Sequence, residues 1–259
     1  MKSKFGGIII IMSATLGGLI KDYRLQKNIS QMEIAFAFGW SEPSRLSRIE
    51  QGKVANPSRE FIDRLITVMK LEEDEKNQLL LTGNYLPNDN EIAKVISEVM
   101  LFLRQWPYPA VVFDFSWRII EENDIFKKTF YLEGKRSCKY ILENLFDSNF
   151  PQNKYLKGEE REQWHKYLVK LIAQYQYIQK TRTKEKWYIK HIKRMMNNDL
   201  FKELWQKAQL TKEMDIVGNF GRKSIILSGD KQKRTNYYFF VLPILKDPRF
   251  QIELFLPSE

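Results

Sequence analysis

The sequence predicts an α+β protein: an N-terminal five-helix bundle followed by an antiparallel sheet with flanking helices. Three observations predict it. Apolar residues recur at helical spacing between Leu16 and Leu81, punctuated by caps and glycine stops. Apolar and polar residues alternate from Pro109 to Ile120, and strand-like runs return at Lys223–Leu227, Asn236–Ile244 and Gln251–Leu256. A polar, proline-bearing break, Tyr85-Leu86-Pro87-Asn88-Asp89-Asn90, separates the two regimes. A chain of 259 residues has room for two cores. The expected division is an extension at 1–11, a helical domain at 12–84, a linker at 85–90 and a sheet-containing domain at 91–259. A hydrophobic share of 43% with 29% charged residues excludes a disordered chain.

Leu16 to Lys27 reads as the first helix, with Leu19, Ile20 and Tyr23 on its buried side. Ser30 is placed to cap a second, since its hydroxyl can accept a free amide of the first turn, and Glu33 stands at the reciprocal capping-box position. Ile34, Ala35 and Phe38 form the buried face of that helix, and Gly39 supplies the left-handed residue that ends it. Ser41 is expected to cap a third helix with Pro43 in its first turn, Leu46 and Ile49 facing inward, and Glu42, Ser44, Arg45 and Arg48 facing outward up to Gly52. Two short helices across a glycine turn, the second presenting arginines beside a buried Leu/Ile pair, fit the geometry by which a helix enters a major groove. An arginine fork can pair with both acceptors of guanine. Gln31, at a helix N-terminus, and Lys53 and Asn56, after Gly52, are phosphate candidates, and Trp40 and Ser41 complete the expected DNA-facing set. Ser58 then caps a helix with Phe61, Ile62, Leu65, Ile66 and Met69, and Glu72–Leu81 forms the fifth.

At these residues the chain resembles the helix-turn-helix of the lambda-repressor-like (Cro/cI, xenobiotic-response-element) family. The shared features are Arg24 ahead of Gln31 and Glu33, Ala35, Gly39, the run Leu46-Ser47-Arg48-Ile49-Glu50, Gly52-Lys53 and Pro57. The resemblance implies that Arg24 pairs with Glu50; a phosphate contact is the other role open to Arg24. Between Gly39 and Gly52 there is one residue more than the family pattern. If the turn absorbs it, Arg45 and Arg48 lie over the groove; if the helix does, Glu42 and Ser44 move forward.

Beyond the break, Glu91–Gln105 reads as a helix whose stripe of Ile92, Val95, Ile96, Val99, Met100 and Leu103 suits either a core or a dimer seam. Pro109–Ile120 is a strand, or a hairpin turning near Asp114 to Trp117, and Glu159–Tyr177 and Ile189–Gln209 read as helices. Pro109–Asp114, Trp117–Ile120, Asn123, Asn144-Leu145-Phe146, Phe201–Trp205, Val217-Gly218 and Asp247-Pro248-Arg249-Phe250, in that order, are similar to regulators carrying an MmyB-like, PAS-like ligand-binding domain. The resemblance implies a curved antiparallel sheet with helices over one face, and a small hydrophobic effector resembling a fatty acid. Candidate pocket rings are Phe113, Phe115, Trp117, Phe126, Trp205, Tyr238 and Phe240, for each of which ordinary core packing is the competing explanation.

A net charge of +10 suits a polyanionic partner, double-stranded DNA, yet Met12 to Lys70 holds nine Lys/Arg against six acids. Much of the excess lies at Gln179–Met195, where seven basic residues face Glu185 alone; a solvated helix face or a contact with DNA backbone or an acidic ligand both fit. Cys138, the single cysteine, fits a reducing cytoplasm and reads as a buried, inert thiol. Lys2 and Lys4 before Ile8–Met12 imitate a signal peptide, but the apolar run is too short, and Met12 is a possible natural start. No segment has the apolar length of a membrane span. His165 and His191 have no partners at metal spacing, so neither a metal nor a cofactor is expected. Gly218–Ser224 has a phosphate-loop look but fails the Walker spacing, and no tetratricopeptide repeat is present. The chain therefore reads as a cytoplasmic transcription regulator acting as a homodimer or dimer of dimers. The alternative is an effector-binding or protein-interaction module whose DNA-binding domain is vestigial. An enzyme is disfavoured because no catalytic constellation is visible.

Overall fold

A computed structural model describes residues 15–54, 56–131, 138–209, 222–228 and 233–258. The expectations for the N-terminal extension and for Val217-Gly218 fall outside these residues, as does most of the Gly218–Ser224 loop. The architecture is α+β, with N-terminal helices followed by an antiparallel sheet and its flanking helices. Two compact units divide the chain, one running to Leu86 and including Lys246–Pro248, the other Pro87–Leu245 with Arg249 onward.

In the first unit, α1 (Leu16–Gln26), α2 (Gln31–Ala37), α3 (Ser44–Glu50), α4 (Arg59–Val68) and α5 (Glu73–Thr82) enclose a core of Leu19, Ile20, Ile34, Leu46, Ile62, Leu65, Leu79 and Leu80, each without exposure to solvent. Their starts follow from side-chain caps. Thr15 accepts from Gly18 N, Ser30 and Glu33 form a complete capping box, and Ser58 accepts from Phe61 N. Gly17 lets α1 touch α3, because a Cβ there would lie 2.2 Å from the Ile49 carbonyl oxygen.

The second unit opens with α6 (Asp89–Gln105), which begins two residues earlier than its apolar stripe suggests because Asn88 and Glu91 form a capping box. The stripe is core: Ile92, Val95, Val99 and Leu103 pack on the sheet. β1 (Ala110–Asp114) and β2 (Ile119–Glu122) are the hairpin alternative, its turn held by Asp114. The buried Asp114 carboxylate accepts from Ser116 N and Oγ and from Arg118 N and Nε, while Trp117 takes a positive φ of 64°. Asn123 then caps α7 (Asp124–Phe130); its Oδ1 accepts from Ala110 N and Phe126 N and its Nδ2 donates to Tyr108 O, which locks the end of the hairpin to the following helix.

Helices α8 (Ile141–Leu145), α9 (Pro151–Tyr155), α10 (Gly158–Ile178), α11 (Lys186–Met195) and α12 (Asp199–Gln209) follow. The single helix expected over Ile189–Gln209 is broken into α11 and α12. Asn198 caps the second, accepting from Phe201 N at 2.9 Å while donating to the Phe146 carbonyl, so a local side-chain bond replaces helix continuation. Strands β3 (Arg222–Ser228), β4 (Lys233–Pro243) and β5 (Phe250–Pro257) complete a five-stranded antiparallel sheet in the order β2-β1-β5-β4-β3. The expectation of helices over one face needs correction. One face carries Val111, Phe113, Phe239 and Phe255 against the helices after β2, whereas Ala110, Val112, Ile252 and Leu254 on the other face pack beneath α6. Arg249, fully buried, joins the sheet to the start of α6 by donating to Glu91 at 3.1 Å. Cys138 is half-buried rather than buried, with Sγ 3.8 Å from an Asp147 carboxylate oxygen.

Candidate nucleic-acid interface and interior cavity

α3 is two turns long, and its inward residues leave Ser44, Arg45 and Arg48 exposed together on the opposite side. Ser41 does not cap it. Pro43 occupies the N-cap position without a side-chain bond, and Ser47 N donates to the Pro43 carbonyl at 2.9 Å. The reason is local: a proline disfavours the helical region for the residue before it, so Glu42 could not be the first residue of a helix capped by Ser41. Residues 38–43 all lie outside the helices, with Gly39 at φ 74°. The turn between α2 and α3 thus spans residues 38–43.

The turn has its own packing. Trp40 stacks on Phe61 and lies against Phe38, with ring centroids 6.0 and 4.9 Å apart. The Arg45 guanidinium lies 4.9 Å from the Trp40 ring centroid and that of Arg64 4.7 Å from Phe38, giving two cations on one aromatic ledge. A face-on guanidinium keeps its edge N–H groups for other acceptors, so Trp40 restrains Arg45 without consuming its donors. Ser41 and Glu42 in the turn and Lys53 and Asn56 in the loop after α3 are exposed, and the Glu42 carboxylate accepts from Ser44 Oγ at 2.8 Å.

Behind α3, Glu50 is the point where three helices meet. Arg24 donates to its two oxygens from Nε and Nη2 at 2.6 and 3.0 Å, and Gln31 Nε2 donates at 2.7 Å. Arg24 also donates to the Ile29 carbonyl. With side-chain exposures of 8% and 3%, Arg24 and Glu50 lie in the interior, so Arg24 orients α3 rather than meeting a phosphate. Gln31 is half-buried at the start of α2 and is committed in part to Glu50.

The second unit holds a partly open cavity of about 310 Å³ between the inner sheet face and the helices. Phe113, Trp117 and Phe126 line it; Phe115, Trp205, Tyr238 and Phe240 do not. Phe115 turns instead toward Trp187 and Arg182, and Trp205 packs on Phe201. Tyr238 and Phe240 have the wrong parity: side chains alternate along β4, and Phe239 and Val241 are the inward pair. Phe150 and Trp164, also in the wall, come from α9's N-cap and α10 and carried no signal beyond their apolar character. Gln251 and Glu253 on β5 were missed because their alternation with Ile252 and Leu254 reads as a solvent face; it faces the cavity. Burial pushes the Glu253 carboxyl up to about 7.

The basic stretch ending in α11 exposes Lys180, Lys184, Lys186, Lys190 and Lys193, while Arg194 pairs with Glu143. His191 is buried next to Glu143, and burial brings its pKa down to about 4. Among the described residues no helix is long and apolar enough to cross a membrane.

Residues 15–79 match the family model described as a helix-turn-helix domain. No curated protein matches the chain.

Proposed function

We propose that this chain, whose helix-turn-helix domain marks it as a DNA-binding regulator rather than an enzyme, is a cytoplasmic transcription regulator that reads an operator with Arg45 and Arg48 and answers to a small hydrophobic effector held in its second unit. The observation that carries the DNA reading is the exposed trio Ser44, Arg45 and Arg48 on α3, with Arg45 set on Trp40 and α3 anchored through Glu50. Lys53 and Asn56, in the loop after α3, are assigned to phosphates, and Gln31 to a phosphate at the α2 N-terminus. The domains are assigned as 12–84 for DNA binding and 91–259 for sensing and dimerisation.

The sensor reading is supported by the cavity between sheet and helices and by the resemblance of the C-terminal region to an MmyB-like, PAS-like domain. Dimerisation is supported by the exposure of Leu101 and Phe102 on α6, 67% and 43% accessible, since one two-turn recognition helix contacts too few base pairs for tight operator binding. Two copies would read half-sites about one helical turn apart. Effector binding would change DNA affinity by the ratio of its own affinities for the DNA-competent and incompetent dimers.

A gel shift of the full chain on its own upstream region, repeated over a salt series, tests the DNA assignment. A retarded complex whose affinity falls steeply with salt and resists random competitor DNA is expected; absence of any complex at low salt would overturn it. Light scattering of the same preparation reads the dimer, and mass spectrometry of denatured protein reads a retained effector.

A further inference from the structure

The cavity is not uniformly apolar, and the placement of its polar groups says what it accepts. Glu253 sits on the central strand of the sheet, flanked in register by Val111 on β1 and Val241 on β4, and all three line the cavity. Its carboxyl thus projects from an aliphatic strip, and among the described residues none donates a hydrogen bond to it. Across the cavity Gln152 is 2% exposed, and its Oε1 is buried with no partner. Glu253 thus lacks a donor, and Gln152, whose amide nitrogen can itself donate, presents an unpartnered carbonyl oxygen. No lysine, arginine or histidine is among the described residues of the wall. A buried acceptor without a donor is costly, and a buried carboxylate without a counter-charge more so, whereas a ligand that brings the donor removes the cost on binding.

Resting on the reading of this cavity as the effector site, we propose that its ligand is an amphiphile with an apolar body and a hydrogen-bond-donating, amine-type polar end received by Glu253, and that a free carboxylate end is rejected. The aromatic wall of Phe113, Phe126 and Trp164 takes the apolar body, and the ammonium end lies between Glu253 and Gln152. A carboxylate placed there would meet the Gln152 carbonyl oxygen and, wherever Glu253 is ionised, a like charge. This departs from the fatty-acid-like effector that the resemblance implies. Burial holds the Glu253 carboxyl near 7, so at neutral pH it offers an ionised form to an ammonium and a protonated form to an alcohol.

The test is displacement of Nile red from the full chain at neutral pH by decylamine, decan-1-ol and decanoate, each below its micellar concentration. Decylamine should displace the dye at least ~10-fold more tightly than decanoate, a difference of the size a buried charge-assisted hydrogen bond supplies. The net charge of +10 would by itself favour decanoate, so preference for the amine must arise in the site. In Glu253→Gln, with circular dichroism and dye uptake showing that the fold and cavity persist, the amine-to-carboxylate ratio should collapse toward one. Decanoate binding as tightly as decylamine to the unaltered chain, or the preference surviving in Glu253→Gln, overturns the proposal while leaving the cavity as an effector site. Failure of the dye and of all three ligands to bind overturns that reading, and this proposal with it.

Discussion

Replacing Arg24 by methionine tests the anchoring of α3 most directly. The change keeps much of the aliphatic stem and removes three donors, two of them to Glu50, a carboxylate with a side-chain exposure of 3%. Among the described residues Glu50 then retains only the side-chain amide of Gln31. Deleting one partner of a buried ion pair typically costs about 3–5 kcal/mol, because the surviving charge stays desolvated and unpaired. Most of that loss belongs to the orphaned charge, so Arg24→Met with Glu50→Leu should recover more than half of it. Peptide-resolved hydrogen exchange on the full chain reads the effect locally: at about 1.4 kcal/mol per decade, protection across α1 and α3 should fall by roughly two to three powers of ten in the single variant. Protection reduced by less than about tenfold, or a double variant no better protected than the single one, would refute the view that this pair fixes the recognition helix.

Arg45→Ala and Arg48→Ala should each weaken operator binding by ~1–3 kcal/mol and relax the preference at one base pair, whereas Lys53→Ala should weaken operator and random DNA alike; fluorescence anisotropy on matched duplexes separates the cases. Gly17→Ala forces α1 away from α3, since the new methyl meets the Ile49 carbonyl oxygen at 2.2 Å, and a stability loss of about 1–3 kcal/mol should appear as a lowered first transition in a thermal melt. Glu253 makes stability depend on pH. Its carboxyl rises from the usual 4.5 to about 7 on folding, so the folded state holds its proton longer and stability is lost as pH rises between those values, by up to roughly 3 kcal/mol. His191, brought down to about 4, acts in the opposite sense, losing stability as pH falls below its usual 6.5. The difference between Glu253→Gln and the unaltered chain cancels His191, and in urea unfolding it should grow in favour of the variant from pH 4.5 to 7 and then level off.

The N-terminal bundle was legible because its signals are local. Ser30 and Glu33 close a capping box within one turn, Ser58 caps α4, and Gly39 takes the positive φ that ends α2, each an interaction between residues a few positions apart. The one local error, Ser41 as cap, came from weighing the hydroxyl above the backbone restriction that Pro43 places on Glu42. The cavity was harder to read. Tyr238, Phe239, Phe240 and Val241 are all apolar or aromatic, so β4 carries no phase of its own, and only its pairing with β5, Phe239 opposite Phe255, decides which two face inward.

The sequence by itself determined the α+β class, the five N-terminal helices, the strand character after the break and the exposed arginines of α3, because caps, helical spacing and strand alternation are written in neighbouring residues; the choice of a hairpin over a single strand at Pro109–Ile120 came from the structure. Tertiary structure alone decided that Gln251 and Glu253, both half-buried, line a cavity beneath the helices rather than an open sheet face. Helices lie over both faces of β5, α6 over Ile252 and Leu254 and the later helices on the side of Gln251 and Glu253, so on this strand polar alternation does not mark an open solvent face. What a strand pattern can specify is which residues share a face; what covers that face is set by elements far away in the chain.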